Sequence, residues 1–256
     1  MTTESALKDT VALVTGASSG IGRAAALALA AEGAAVALAG RRADRLAELE
    51  REIRQAGGSA AAFAVDITDR PQAEELVEDT IGRFGRLDTL VNNAGVMLLG
   101  PIEGASVQEW ERMIAVNVHG LLYCARAALP HLLAAAADGP RQVADMVNIS
   151  SVAGRAAHPG MGIYNLTKFG VGAFSESLRQ EVSGRHVRVS LVEPGATATE
   201  LRTHNRSEIQ EQSAEYLKGV ELLEASDIAE SIIYIVTRPR RVAINELLVR
   251  PTEERS

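Results

Sequence analysis

Val11–Gly22 reads VALVTGASSGIG. Its first five residues, Val11–Thr15, form a short apolar run stopped by Gly16, as expected of a strand buried on both faces. Gly16, Gly20 and Gly22 follow, and then an alanine- and leucine-rich helical stretch to about Glu32. In the context of strand, turn and helix, such glycines let the backbone approach an anion, and free N–H groups at the helix start bind it. Ser18 and Ser19 add hydroxyl donors. The spacing is G-x-x-x-G-x-G, and taken alone it would equally describe a flexible turn.

Working outward, the alternation continues. A second strand is expected at Ala35–Ala39, ending in Gly40-Arg41-Arg42. In a dinucleotide-binding fold an acidic residue near this point takes the adenosine ribose 2′-hydroxyl. Here two arginines stand instead, and an arginine pairs with a 2′-phosphate, which favours NADP over NAD. The alternative is that Arg41 and Arg42 merely open the helix ADRLAELEREIRQA. Ala60–Val65 reads as a third strand closed by Asp66, which either accepts from an adenine amino group or caps the next helix. That helix runs from Pro71 to about Phe84, and Leu87–Val91 forms a fourth strand running into Asn92-Asn93-Ala94-Gly95.

From Ser106 to about Ala137 the pattern is helical with an interruption near Pro130, and Asn117 lies in an otherwise apolar part of it. A buried asparagine is either a satisfied core residue or part of a polar relay. Val143–Ile149 is the fifth strand and delivers Ser150 and Ser151 at its C-terminal end, where ligand sites of open parallel sheets lie. A helix from about Gly162 to Val182 carries Tyr164 and Lys168, which share a face. A phenol ionises near pH ~10, and a cation close by favours the phenolate, so the pair suits proton exchange. A Tyr/Lys pair at this spacing is also common on exposed helices. Val187–Val192 is the sixth strand, ended by Glu193-Pro194-Gly195; residues 196–220 are polar and read as an irregular substrate loop. Ser226-Asp227 starts a last helix to about Val236, and Ala243–Val249 is a seventh strand. With no repeat or linker, the chain reads as one α/β domain with a parallel sheet.

Composition narrows the function. Hydrophobic residues make up 46% with only 4% aromatic, so the core is built from Ala, Val, Leu and Ile. A formal charge of −7 argues against nucleic acid or an anionic membrane as partner. Lysine is scarce, with only Lys8, Lys168 and Lys218. Cys124 stands alone in an apolar helical stretch and reads as a packed core thiol. His119, His131, His158, His186 and His204 show no metal-ligand spacing, so no metal is expected. The N-terminus lacks the pattern of a signal peptide, and no run approaches the ~18 apolar residues of a membrane span, which points to a cytoplasmic protein.

TGASSGIG at 15–22, NNAG at 92–95, Asn117, Ser151, Tyr164-x-x-x-Lys168 and Pro194-Gly195 together resemble the short-chain dehydrogenase/reductase superfamily over the whole chain. The finer resemblance is to its NADP-dependent serine-type, hydroxy-acid dehydrogenase branch, through NNAGVMLLGPIE, RAALPHLL, TKFGVGAFSESLRQEV, EPGATATELR and INELLVRPT. It implies a single doubly wound Rossmann domain, with a seven-stranded parallel sheet in the order 3-2-1-4-5-6-7 and helices on both faces. It implies Tyr164 as general acid/base, Lys168 lowering its pKa and holding the nicotinamide ribose, Ser151 positioning the substrate oxygen, and Asn117 anchoring a relay water. NADP(H) would be held by Gly16, Ser18, Ser19, Gly20, Ile21, Gly22, Arg41, Arg42, Asp66, Ile67, Asn93, Ala94, Gly95, Tyr164, Lys168, Pro194, Gly195, Thr197 and Thr199. Thr197 replaces the Val or Ile usual in relatives, which a backbone contact tolerates. The ending departs from the G-Q-x-x-x-x-D-G-G tail of many relatives, against an acyl-carrier reductase. The expected activity interconverts a small ketone or aldehyde and its alcohol. The alternatives are an epimerase or dehydratase that retains its cofactor, and a non-catalytic NADP-binding regulator. A homotetramer built from the helices containing Asn117 and Tyr164, or a homodimer, is the implied assembly. Arg155, His158 and Arg202 are the residues that invite a polar substrate group.

Overall fold

The structure is a computed structural model and describes residues 5–254. Seven strands form one parallel sheet: β1 (Val11–Thr15), β2 (Ala35–Gly40), β3 (Ser59–Ala64), β4 (Thr89–Asn92), β5 (Ala144–Ile149), β6 (Val187–Pro194) and β7 (Glu246–Val249). Their order is β3-β2-β1-β4-β5-β6-β7, as the sequence led us to expect. The chain reverses direction across the sheet between β1 and β4, so a crevice opens beyond their C-terminal ends.

Alternation along the strands divides the core between two faces. Ala12, Val14, Val36 and Leu38 pack against α1 (Gly20–Ala31), α2 (Ala43–Gln55) and the last helix. Leu13, Ala37, Ala39 and Leu90 face α3 (Arg70–Phe84) and the long helix that follows β4. Local signals set the helix ends. Asp69 accepts from Gln72 N at 3.1 Å to start α3, and Gly85 ends it in a left-handed conformation. Asp69, rather than Asp66, is thus the cap.

Four readings need correction. The helix after Ser106 does not break at Pro130. It is continuous as α4 (Val107–Ile114), a π-helical turn (Ala115–Gly120) and α5 (Leu121–Asp138). Pro130 and Arg126, whose carbonyl loses its helical donor to the proline, both lie on the exposed face, where water can satisfy that carbonyl. By length and composition 107–138 could also span a membrane, unlike our reading of the sequence; 44% of its apolar window is buried here, against α3 and the sheet. The 196–220 segment is largely helical, with a 3-10 turn at Glu200–His204 and α7 at Ser207–Tyr216. β7 begins three residues later than expected, at Glu246; ahead of it the Val242 carbonyl accepts from Arg188 at 2.8 Å. The other strand ends differ by one or two residues. The remaining helices are α6 (Gly162–Val182) and α8 (Ala225–Val236), the latter with a capping box of Glu224 and Asp227.

At the opposite end of the sheet from the crevice, Arg188 in β6 faces its register partner Asp145 in β5, and both are buried. The guanidinium donates to both carboxylate oxygens at 2.6 and 2.8 Å, and also to the carbonyls of Val236, Arg238 and Val242. Arg141 adds a further bond to Asp145 at 3.2 Å. This knot fastens the end of α8 to the sheet.

Candidate active site

The glycine turn is shaped by contact as well as by conformation. Gly16 has φ +67°, and a Cβ there would meet the Ala94 Cα at 2.8 Å. Gly22 is buried, and a Cβ on it would collide with the Asn93 side chain and the Gly16 carbonyl. Gly22 therefore packs the helix start against the turn, just behind the residues that line the crevice. Asn93 donates to Thr15 O at 2.9 Å, while the Thr15 hydroxyl accepts from the backbone N–H groups of Asn93 (3.0 Å) and Ala94 (3.1 Å). The ends of β1 and β4 are so joined. Thr15 was missed because its hydroxyl ends an otherwise apolar run.

Above these ends lies a cleft of about 480 Å³. Every expected site residue lines it except Gly22 and Asn117. At one extreme Arg42 donates to Ser18 Oγ (2.9 and 3.0 Å) and Ser19 Oγ (2.6 Å), and its remaining nitrogen pairs with Glu200 at 2.7 Å. Arg41 is exposed on the rim. Sequence alone leaves Arg41 and Arg42 equivalent; the geometry prefers Arg42. Asp66 turns its carboxylate to Thr68, accepting from N at 3.0 Å and Oγ1 at 2.8 Å.

At the other extreme the candidate chemical groups meet. Lys168 and Tyr164 are both buried on α6. The ammonium donates to Ile149 O at 2.9 Å and lies 5.7 Å from the Tyr164 ring centre. Burial pushes the Tyr164 phenol up to about 12, partly offset by a hydrogen bond with Ser151, and pushes Lys168 down to about 8. The polypeptide alone therefore does not lower the phenol's pKa through Lys168, contrary to the simple pairing argument. Ser151 is fixed by accepting from Ala153 N at 3.1 Å, at the start of a short 3-10 turn.

Asn117 sits in the π-helical turn, 1% exposed. Its side chain accepts from Val96 N (2.8 Å) and donates to Val96 O (2.9 Å) and Thr167 Oγ1 (3.2 Å). The amide is thus occupied in tying the extended segment after β4 to α6. A relay contact from this residue would have to come from its main chain.

Further residues give the site its walls. Asn165 donates to the carbonyls of Ala153 (2.7 Å) and Ala156 (2.9 Å), holding the loop after Ser151 on α6. Asn205 accepts from Leu99 N at 2.7 Å and so fastens the 200–217 segment to the opposite wall. Glu254 reaches the cleft beside Gly195 and accepts from Ala196 N at 3.3 Å; burial raises its pKa. None of these three has a local sequence signature. Of the residues expected to meet a polar substrate group, Arg202 lines the cleft, together with His204. Arg155 is bound instead to buried Glu193 at 2.8 Å and to Glu246, while His158 lies outside the cleft. Among the described residues no cluster of His, Cys, Asp and Glu could hold a metal.

Known proteins resemble this chain in sequence and fold. The sequence model of short chain dehydrogenases matches residues 10–210. Glycine betaine reductase of Emericella nidulans is 41% identical over 97% of this chain, although the chain spans only 19% of that protein's length. An uncharacterized oxidoreductase of Staphylococcus saprophyticus is 34% identical over 97% of this chain and 98% of its own length. Among solved structures, the closed form of serine dehydrogenase complexed with NADP+ superposes with a TM-score of 0.87 at 32% identity, over 96% of this chain and 97% of the other. A metagenomic short-chain oxidoreductase in complex with NADP gives 0.81 at 34%, over 97% and 100% of the two chains. With a family match across most of its length and these relatives along nearly all of it, this chain belongs to the short-chain dehydrogenase family.

Proposed function

We propose that this protein is an NADP(H)-dependent oxidoreductase that interconverts a small ketone or aldehyde and its alcohol. The observation that carries the proposal is the convergence of Tyr164, Lys168 and Ser151 at one end of a cleft whose other end is a glycine turn flanked by Arg42. The cleft suits a dinucleotide: the glycine turn and the first residues of α1, Gly20 and Ile21, line it, and Arg42 is aimed by two serine hydroxyls. Two solved relatives are complexed with NADP or NADP+, which supports the cofactor choice. The nicotinamide, when bound, supplies or accepts the hydride.

The residues of this chain supply the rest. In the reductive direction Tyr164 Oη gives its proton to the carbonyl oxygen as charge develops there, and Ser151 Oγ holds that oxygen in reach. Lys168 lines the cleft, and its buried ammonium, anchored by donating to Ile149 O at 2.9 Å, would hold the nicotinamide ribose. Asn117 positions the Val96 backbone and α6 relative to each other. Around the reacting oxygen, Met97, Leu99, Val116, Met161 and Leu217 make an apolar wall, while Arg202 and His204 supply a polar edge. This favours a compact substrate with one anionic or strongly polar end. The likeness to serine dehydrogenase supports the hydroxy-acid branch, and the stretches NNAGVMLLGPIE and INELLVRPT are similar in kind to clavulanic acid dehydrogenase. Leu166 and Phe169, exposed on α6, support the tetramer; net charge and composition support a cytoplasmic protein without nucleic-acid or membrane partners.

The test is a panel of aldehydes, ketones and β-hydroxy acids with NADPH and NADH, followed by the absorbance of reduced nicotinamide. Turnover that prefers NADPH is expected. No turnover with any member, or a preference for NADH, would reject the proposal.

A further inference from the structure

Glu200 opens the 3-10 turn at the start of the segment that closes the substrate end of the cleft. Its carboxylate nevertheless reaches to the adenosine end. One oxygen pairs with Arg42 at 2.7 Å and the other with Arg45 at 2.6 Å, so both arginines are bridged by one anion. The same two bonds hold its pKa down to about 2, so it is ionised at any working pH. Arg42 is also the residue that Ser18 and Ser19 orient beside the glycine turn. A carboxylate on a guanidinium, at the place where a phosphate is expected, carries the same sign of charge and accepts the same kind of charge-assisted N–H bonds as that phosphate.

We propose that Glu200 occupies the place of the cofactor's 2′-phosphate on Arg42 and Arg45, so that an NADP-type cofactor enters by displacing it and releases residues 200–217 to close over the substrate. The inference rests on the NADP reading given above. NAD, which has no phosphate at this position, leaves the contact in place. Glu200 is thereby a positioning residue that couples cofactor identity to the substrate loop.

All three side chains are 38–43% exposed, so each ion pair is weak, and together they leave the arginines free for about a third to a tenth of the time. Removing the carboxylate should then tighten NADP+ binding about three- to ten-fold and leave NAD+ binding within about two-fold. Calorimetry of wild type, Glu200→Gln and Glu200→Ala with both cofactors measures this. The second readout is tryptic cleavage after Arg202 and Arg206, with adenosine 2′,5′-bisphosphate or adenosine 5′-phosphate added. These fragments do not reach the nicotinamide end. The bisphosphate should speed cleavage of wild type, the monophosphate should not, and both variants should be cleaved fast from the outset. Unchanged or weaker NADP+ binding in the variants overturns the proposal. So does tighter binding without any change in cleavage, which would be plain charge repulsion. A wild-type protein that binds NAD+ as tightly as NADP+ would instead reject the cofactor reading, and this inference with it.

Discussion

Arg42→Ala tests the division of labour within the cleft. The guanidinium is held by Ser18 and Ser19 at 2.6–3.0 Å, so it presents a fixed fork to whatever anion lies beside the glycine turn. A charge-assisted arginine–phosphate contact is worth roughly 1.5–3 kcal/mol, or about ten- to over a hundred-fold in affinity. The truncation should raise the KM for NADPH by that factor while changing the KM for NADH by no more than about three-fold. Arg41→Ala is the internal control. Arg41 is exposed, so its loss should cost less than about five-fold with NADPH. The assay is steady-state reduction of one responsive aldehyde or ketone with each cofactor. Equal losses with NADPH and NADH in Arg42→Ala would refute the reasoning, and so would a larger selectivity change in Arg41→Ala.

Other consequences concern stability and pH. Arg188→Met should destabilise the fold by about 3–5 kcal/mol in urea unfolding, because Asp145 keeps only the Arg141 contact in a buried position. Replacing both members, Arg188→Met with Asp145→Leu, should recover part of that loss. Lys168 is depressed to about 8 from its ordinary 10.5, so the folded state sheds this proton first and stability rises as pH passes above 8. Between pH ~8 and ~9 the cofactor-free protein should gain on the order of 1 kcal/mol that Lys168→Met does not show. Tyr164, raised to about 12, works in the opposite direction only above pH ~10. A flat wild-type profile over this window would contradict the buried ammonium.

The sheet was legible because its strands are apolar on both faces and punctuated by glycine or asparagine. β1, β5 and β6 are buried along their whole length, so no competing pattern obscures them. Ser151, Tyr164 and Lys168 were legible through spacing and through the strand end that delivers the serine. What stayed hidden did so for physical reasons. α7 buries none of its residues, so it carries no apolar period to be read. The π-helical turn around Asn117 is a change of hydrogen-bond register, which residue types do not record. Arg42 could not be separated from Arg41, since its distinction comes from Ser18, Ser19 and the distant Glu200. The phenol's raised pKa reflects complete burial, which the Tyr/Lys spacing says nothing about.

Tyr164→Phe removes one oxygen and leaves the ring that packs with Val96, Leu98 and Met113. Calorimetry should give an NADP+ affinity within a few-fold of wild type, so the binding cleft is intact. Carbonyl reduction with NADPH at saturating substrate should fall by about 10²–10⁴-fold, the usual contribution of a positioned general acid. Turnover within a few-fold of wild type would contradict the assignment of the proton to Tyr164.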